Sequence, residues 1–183
     1  MPLIQTTAPT EEPVTLAQAK LHLRVDADLT ADDLLIAMLI GAARRYAEVY
    51  CNRSFITQKW RLVLDSFPGP SLIGVPFGVP YSLPGHAILL ERGRVQSIDA
   101  ISYTGMDGNE ATMPATDWTA DLTGPLARVT PRFGKIWPIP LPQIGAVKVD
   151  FTAGYGNSDA VPEGIKHWIL LRVGTLYENR EEV

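Results

Sequence analysis

Apolar residues recur at helical spacing near both ends of the chain. Thr15 and Gln18 have the spacing of a capping box, and the apolar positions that follow predict a short first helix. Near the other end, Pro162 stands where a first helical residue is favoured, and the apolar positions after it predict a last helix that ends in a group of charged residues. Because a single helix is only marginally stable alone, the last helix is expected to pack against the first ones.

The longest predicted helix is apolar over much of its circumference. It opens with Thr30 and Asp33, which repeat the capping pattern, and runs to about Asn52. A helix with so wide an apolar surface is covered on more than one side, and in a small protein the second cover is often another subunit. Its apolar positions form two stripes, the first made of Leu35, Met38, Leu39, Ala42, Tyr46 and Val49, and the second of Ile36, Ile40, Ala43, Ala47 and Tyr50.

Between the helices the apolar period changes from helical to alternating, which is typical of strands. Asp107-Gly108 is a hairpin turn signal, and several short strands joined by such turns indicate an antiparallel sheet or small sandwich. Two Pro-rich segments, 67–85 and 133–145, are predicted loops, and Trp137 is the expected anchor of the second. The predicted strands are 55–64, 87–92, 95–105, a piece near 112–113, 117–122, 127–131 and 145–153.

The order of these elements predicts an α+β fold. Two N-terminal helices and the C-terminal helix would form a small helical bundle, into which an antiparallel β-sheet or sandwich is inserted. Residues 1–14 lack periodicity and are predicted to be a flexible arm. The helical core would comprise 15–53 and 160–183, and the β insertion with its Pro-rich loops 54–159.

Composition narrows the function classes. With 183 residues, 46% hydrophobic and 20% charged, the chain has ordinary globular composition and is most simply one domain. A net charge of −4 argues against a protein whose main task is to grip nucleic acid, although DNA could still slide past it. Cys51, the single cysteine, is interpreted as a small buried apolar residue in a reducing compartment. No signal peptide or apolar run of membrane-spanning length is apparent, so a protein made and kept in solution is expected.

Residues capable of chemistry do not assemble into a motif. The three histidines lack the spacing of metal ligands. Residues 26–37 open like a calcium loop but carry Ala31 and Ala37 where such a loop requires Gly and Glu. The segment 154–156 contains two glycines but no third at the offset of a phosphate-binding loop. No catalytic, cofactor-binding or metal-binding residue is therefore predicted.

Longer stretches of the chain, in their order, resemble a known family. They are "EPVTLAQAKLHLRVDADLTADDLLIAMLIGAARRYAEVYCNRSFITQKWRLVLDSFP", then "SIDAISYTGMDG" and "WTADLTGPLARVTPRFGKIWP", and finally "VDFTAGYG" followed by "VPEGIKHWILLRVGTLYENREEV". This succession resembles the head–tail connector proteins, also called adaptor or head-completion proteins, of long-tailed phages and prophages. The resemblance covers nearly the whole chain.

The resemblance implies a structural virion protein and not an enzyme. Its copies would form a ring, commonly dodecameric, beneath the portal protein at the head–tail interface, after synthesis in the host cytoplasm. The ring would lengthen the DNA channel, let genomic DNA pass through its lumen without sequence-specific binding, and offer a platform to a tail-side stopper or tail-terminator protein. No cofactor and no membrane are implied.

The end of the last helix supplies the candidate interface residues, because in the resembled family the C-terminal end contacts the portal. A solvated helix end is the alternative interpretation of the same residues. The candidates for contact with the portal or a neighbouring subunit are Tyr177, Asn179, Arg180, Glu181 and Glu182.

Two other functions stay open from the residues alone. A cell-wall or sugar hydrolase could use Asp150 or Glu91 as its acid, and would need two carboxylates roughly 5 to 9 Å apart across a cleft. A small-ligand or peptide-binding module would instead present one deep apolar pocket on the β face.

Overall fold

The computed structural model describes residues 2–69 and 87–179, and this part of the chain contains three α-helices and eight β-strands. The strands form two antiparallel sheets, which confirms the α+β fold predicted from the sequence. The chain divides into two compact units. The β unit comprises Met1–Ala8 and Gln58–Ala153, and the helical unit comprises Pro9–Thr57 and Gly154–Val183.

The β unit is a sandwich of a five-stranded and a three-stranded sheet. The first sheet has the order β1-β2-β8-β4-β5 and the second β3-β7-β6, and apolar side chains of both sheets form one shared core. Alternate residues of the strands face this core, which explains why period-two alternation located most of them in the sequence. The strands are β1 (Leu3–Thr7), β2 (Gln58–Leu64), β3 (Ile88–Leu90), β4 (Val95–Thr104), β5 (Glu110–Thr112), β6 (Trp118–Asp121), β7 (Ala127–Pro131) and β8 (Val147–Ala153).

Strand β8 lies at the centre of the larger sheet. It pairs without interruption with β2, from Gln58 opposite Ala153 to Leu64 opposite Val147, and on its other side with β4. The β4–β5 hairpin turns at Gly108, whose positive φ of 81° fits the predicted Asp-Gly turn signal.

The structure corrects the expected flexible arm at 1–14. Leu3–Thr7 forms the edge strand β1, which pairs with β2 in antiparallel register from Leu3 opposite Leu62. Four of its five residues are exposed, so the strand gives no alternating apolar signal in the sequence. Pairing with the outer edge of β2 satisfies its backbone hydrogen bonds, and its β-branched residues suit an extended chain.

The helical unit contains α1 (Leu16–Leu23), α2 (Asp33–Cys51) and α3 (Glu163–Glu178). The capping box at Thr15 and Gln18 is confirmed, since each side chain accepts a backbone N–H of the other residue. The capping pattern predicted at Thr30 and Asp33 is wrong: α2 starts after Asp32, and no side chain caps it. The buried residues of the unit are Val14, Ala19, Ile36, Ile40, Ala43, Ala47, Phe55, Ile56, Val161, Ile169 and Val173.

A buried lysine holds the turn between α1 and α2. The Lys20 ammonium group donates to the carbonyl oxygens of Ala27 and Leu29, at 3.0 and 2.7 Å, and to the Asp33 carboxylate at 2.9 Å. Only 5% of Lys20 is exposed, so these oxygens replace its water shell. The acidic stretch that opens like a calcium loop is therefore organised around a lysine of the chain itself.

The buried Arg44 links α2 to the segment that precedes α1 and, through Glu48, to the segment that follows α2. Arg44 donates to Glu12 at 2.6 Å and to Glu48 at 2.7 Å, and Glu48 also accepts the backbone N–H of Phe55 at 2.8 Å. Burial acts to lower the pKa of Arg44, but the hydrogen bond to Glu12 and the charge of Glu48 outweigh it, so the pKa lies above its ordinary value. The guanidinium therefore remains charged inside the unit.

Replacing Arg44 tests this network. Arg44→Met keeps most of the side-chain length but leaves the buried Glu48 carboxylate without its cation, and we expect a loss of about 3 kcal/mol of unfolding free energy. The matched control is Arg45→Met at the next position, where the side chain is exposed and the change should stay within about 0.5 kcal/mol. Urea unfolding of both variants measures the difference, and equal losses would contradict the structural role of Arg44.

Gly154 occupies a position that only glycine fits. Its φ is +138°, and an added Cβ would lie 2.6 Å from the carbonyl oxygen of Ile56 and 2.7 Å from the backbone nitrogen of Thr57. Both the backbone conformation and the space therefore exclude a side chain.

We expect Gly154→Ala to lower the unfolding free energy by about 2 kcal/mol or more. Gly164→Ala in the first turn of α3 is the matched control, because nothing lies within 4 Å of its added Cβ. That control should be neutral or stabilising by up to about 1 kcal/mol. Thermal unfolding of the two proteins checks the prediction, which is wrong if Gly154→Ala is as stable as the control.

Candidate assembly surface

Asp150, one of the two candidate acids of a hydrolase, is held in an ion pair. Both carboxylate oxygens of Asp150 accept hydrogen bonds from the Arg61 guanidinium on the neighbouring strand, at 2.7 and 2.9 Å. The hydrogen bond and the charge of Asp150 raise the pKa of Arg61 above its ordinary value. Glu91 lies exposed in the connection between β3 and β4. Asp150 thus serves as the partner of a cross-strand ion pair.

The described part of the chain offers neither a metal-binding cluster nor a membrane-spanning helix. Among residues 2–69 and 87–179, no group of three or more His, Cys, Asp or Glu side chains could hold a metal ion. No helix within these ranges has the length and apolar character needed to cross a membrane. An open cavity of about 590 Å³ in the β unit is lined by Phe67 and Trp137, by Phe133, Ile136 and Ile139, and by neighbouring prolines.

The outer face of α2, defined by Leu34, Met38, Ala42, Arg45 and Val49, is exposed and mostly apolar. Leu34, Met38 and Val49 are 76%, 64% and 67% exposed. The helical period places all five residues on one side of α2, away from the buried Ile36 and Ile40. The prediction that α2 has more apolar surface than one copy buries is therefore confirmed.

Next to this face, α2 and α3 form an aromatic groove. Tyr46 is stacked against Tyr50 and against Trp168, with ring centroids 6.4 and 6.1 Å apart and planes within 8°. The guanidinium of Arg172 lies 5.5 Å from the centre of the Tyr46 ring. The groove has a volume of about 510 Å³, and Ala47, Cys51, Phe55, Gly164 and Ile165 complete its lining.

Cys51 corrects an expectation from the sequence. Its residue type predicts a buried apolar side chain, but the structure places Cys51 exposed, at the end of α2 and at the groove. The buried stripe of α2 ends at Ala47 and Glu48, so the following turn projects beyond the core of the unit.

The β unit carries a second exposed apolar surface, the apolar loop, which is the segment 132–145 between β7 and β8. Trp137 anchors it by stacking on Phe67, with ring centroids 4.8 Å apart and planes at 10°. Backbone hydrogen bonds fix both of its ends, from Arg132 to the carbonyl of Asp117 and from Gly145 to the Asp65 carboxylate. Its outward side chains are Phe133, Ile136, Ile139 and Ile144, each at least 78% exposed.

Sequence reasoning assigned this segment only as a Pro-rich loop with Trp137 as its anchor. The structure agrees with Trp137 as the anchor of the segment. The sequence pattern did not predict that four apolar side chains of this segment form an exposed surface. The available signal was the placement of Phe133 and Ile136 among charged and turn residues, where neither helical nor strand periodicity accounts for them.

The predicted interface residues at the end of α3 fall into two groups. The Tyr177 hydroxyl donates to the Asp32 carboxylate, and its ring packs against the core of the helical unit. The Asn179 side chain donates to the carbonyl oxygen of Thr175 at 2.9 Å, which closes the last turn of the helix. The other three predicted residues, Arg180, Glu181 and Glu182, lie outside the described residues.

An α+β chain that leaves wide apolar surfaces exposed, and that holds Asp150 in a structural ion pair, has the character of a structural assembly protein. Residues 13–103, which are 91 of the 183 residues, match the family model described as phage gp6-like head-tail connector protein. Over just under half of its length, the chain is thus similar to head–tail connector proteins of phages.

Solved structures share the fold over the whole chain. One is described as "Neck of empty GTA particle computed with C6 symmetry", with a TM-score of 0.80, 24% sequence identity, and coverage of 100% of this chain and 87% of that one. A second, "Virion of native gene transfer agent (GTA) particle", has a TM-score of 0.79, 24% identity and the same coverage. A third, "Neck of native GTA particle computed with C12 symmetry", has a TM-score of 0.69, 22% identity, and coverage of 100% and 86%. No curated protein matches the sequence.

Proposed function

We propose that the protein is a virion connector whose copies form a ring at the head–tail interface. The ring lies beneath the portal protein, lengthens the DNA channel and offers a platform to a tail-side stopper or tail-terminator protein. The match of residues 13–103 to the connector family model supports the class of function. The shared fold with proteins of gene transfer agent particles, described as necks with C6 and C12 symmetry, supports the ring and its place in the particle, with twelve copies as the expected number.

The observation that carries the proposal is the exposed outer face of α2. Burying one large apolar side chain contributes about 1.5 to 3 kcal/mol, so leaving Leu34, Met38 and Val49 in water forgoes a substantial stabilisation. A closed ring of identical subunits contacts each neighbour through two different patches on every copy. The outer face of α2 supplies one such patch.

The charge of the chain fits a channel wall that does not retain DNA. Affinity for duplex DNA comes mainly from Lys and Arg contacts to phosphates, and a net charge of −4 gives the copies no overall attraction for the polyanion. Genomic DNA therefore passes through the lumen of the proposed ring without sequence-specific binding.

The end of α3 remains the proposed contact with the portal protein. Tyr177 is engaged with Asp32 inside the helical unit, so its proposed role is to fix the direction in which the chain leaves the helix. The portal contact itself falls to Asn179 and to Arg180, Glu181 and Glu182, which follow it in the sequence.

Charge substitutions on the outer face of α2 test the ring. We expect the wild-type protein to form rings at high concentration or with a candidate portal protein, as seen by analytical ultracentrifugation and negative-stain microscopy. The double variant Met38→Asp/Val49→Asp should stay monomeric with an unchanged unfolding temperature, because it places unpaired carboxylates in the subunit contact. Ala17→Asp, an exposed position on α1, is the matched control and should assemble normally.

Two results would contradict the proposal. One is ring formation by the double variant at the same concentrations as the wild type. The other is a wild-type protein that stays monomeric at every concentration and does not bind the portal protein.

A further inference from the structure

We propose that in the ring the apolar loop of one copy inserts into the aromatic groove of the next copy. This inference rests on the proposed ring and assigns the residues that join its subunits. It pairs Phe133 and Ile136 of one copy with Tyr46, Tyr50 and Trp168 of its neighbour.

The apolar loop has the form of an insert. Phe133 and Ile136 are 104% and 84% exposed at the open cavity beside Trp137, so both side chains are accessible to a neighbouring copy. The loop is also held in shape before any contact forms. Gly134 turns the chain with a φ of +78°, and the stacked Trp137 fixes the segment that follows. Little conformational entropy is then lost when a neighbour covers it, which favours binding.

The aromatic groove has the form of a receptor. Its volume of about 510 Å³ lies within the range of sites that enclose bulky apolar groups. The stacked rings of Tyr46 and Trp168 present an aromatic wall, and a further ring such as that of Phe133 can pack against it edge-on or with an offset. Tyr50, which is 81% exposed, leaves one side of the groove open to an entering chain.

A second copy of this chain is the occupant that the surfaces favour. The groove continues the outer face of α2 through Tyr46 and Tyr50, so it belongs to the same proposed contact between subunits. A ring requires each copy to carry two different patches that complement each other. The chain carries an apolar groove on its helical unit and exposed apolar side chains on its β unit, and mutual burial would remove both from water.

The single native cysteine allows a direct test. Cys51 lines the groove and is exposed, and Ile136→Cys places a second thiol on the apolar loop. We expect mild oxidation of assembled Ile136→Cys protein to yield a ladder of disulfide-linked multimers on a denaturing, non-reducing gel. Thr116→Cys, an exposed position outside the loop, is the matched control and should give few linked species. Removing the native thiol with Cys51→Ser should abolish the ladder of the Ile136→Cys protein.

A second measurement does not depend on cross-linking. Phe133→Ser/Ile136→Ser changes only exposed side chains, so we expect an unchanged unfolding temperature and ring assembly weakened by at least about tenfold. Tyr50→Ser in the groove should weaken assembly in the same direction. If both sets of variants assemble like the wild type, the loop does not occupy the groove.

The outcomes separate this inference from the ring itself. One outcome is that the Ile136→Cys protein forms rings and yet gives no more disulfide-linked multimers than the Thr116→Cys control. That result overturns the inference and leaves the proposed connector function intact. A 51–136 disulfide that forms only within one copy, seen as a monomer of altered mobility, also overturns it. Absence of rings under all conditions overturns the proposed function, and with it the inference.

Discussion

The structure depends on one constraint: α2 is apolar around more of its circumference than a single copy can cover. Its inner residues, such as Ile36 and Ile40, form the core of the helical unit together with Ile169 and Val173 of α3. The outer face and the aromatic groove stay in water. Hydrophobic burial is the main favourable term in both folding and association, so the same force that assembles the unit favours its association with other copies.

Charged residues keep this exposed surface in a fixed shape. Arg44 ties α2 to Glu12 and Glu48, and Lys20 holds the turn that leads into the helix. These buried ion pairs add little net stability on their own, because desolvation offsets much of the attraction. Their value is positional, since they fix α2 to Glu12 and to the turn that precedes the helix. A preformed surface loses less entropy on association than a mobile one.

Helices and strands whose apolar residues recur with a clear period could be predicted from the sequence. Elements that form only because of contacts with other parts of the fold could not. The three helices bury residues at helical spacing, and strands such as β2 and β3 bury alternate positions, so the pattern located them within a few residues. Strand β1 is mostly exposed and exists because β2 offers an unpaired edge, which no local pattern reveals. The cap expected at Thr30 failed because Asp33 binds Lys20 instead.

The surface of assembly could be predicted only in part. Two apolar stripes on α2 correctly indicated an excess of apolar surface, but the pattern alone did not tell which stripe is buried. Cys51 was misplaced because its residue type favours burial, whereas its position at the helix end decides its exposure. The outward direction of Phe133 and Ile136 depends on the turn at Gly134 and on the packing of Trp137, both of which are tertiary features.

Oxidative footprinting of two methionines tests the central claim most directly. Met38 on the outer face of α2 and Met106 in the β4–β5 turn are each 64% exposed, so in the monomer both should be oxidised at similar rates. On assembly, the account predicts strong protection of Met38 and little change at Met106. A Met38 that is oxidised as readily in the ring as in the monomer would contradict the account.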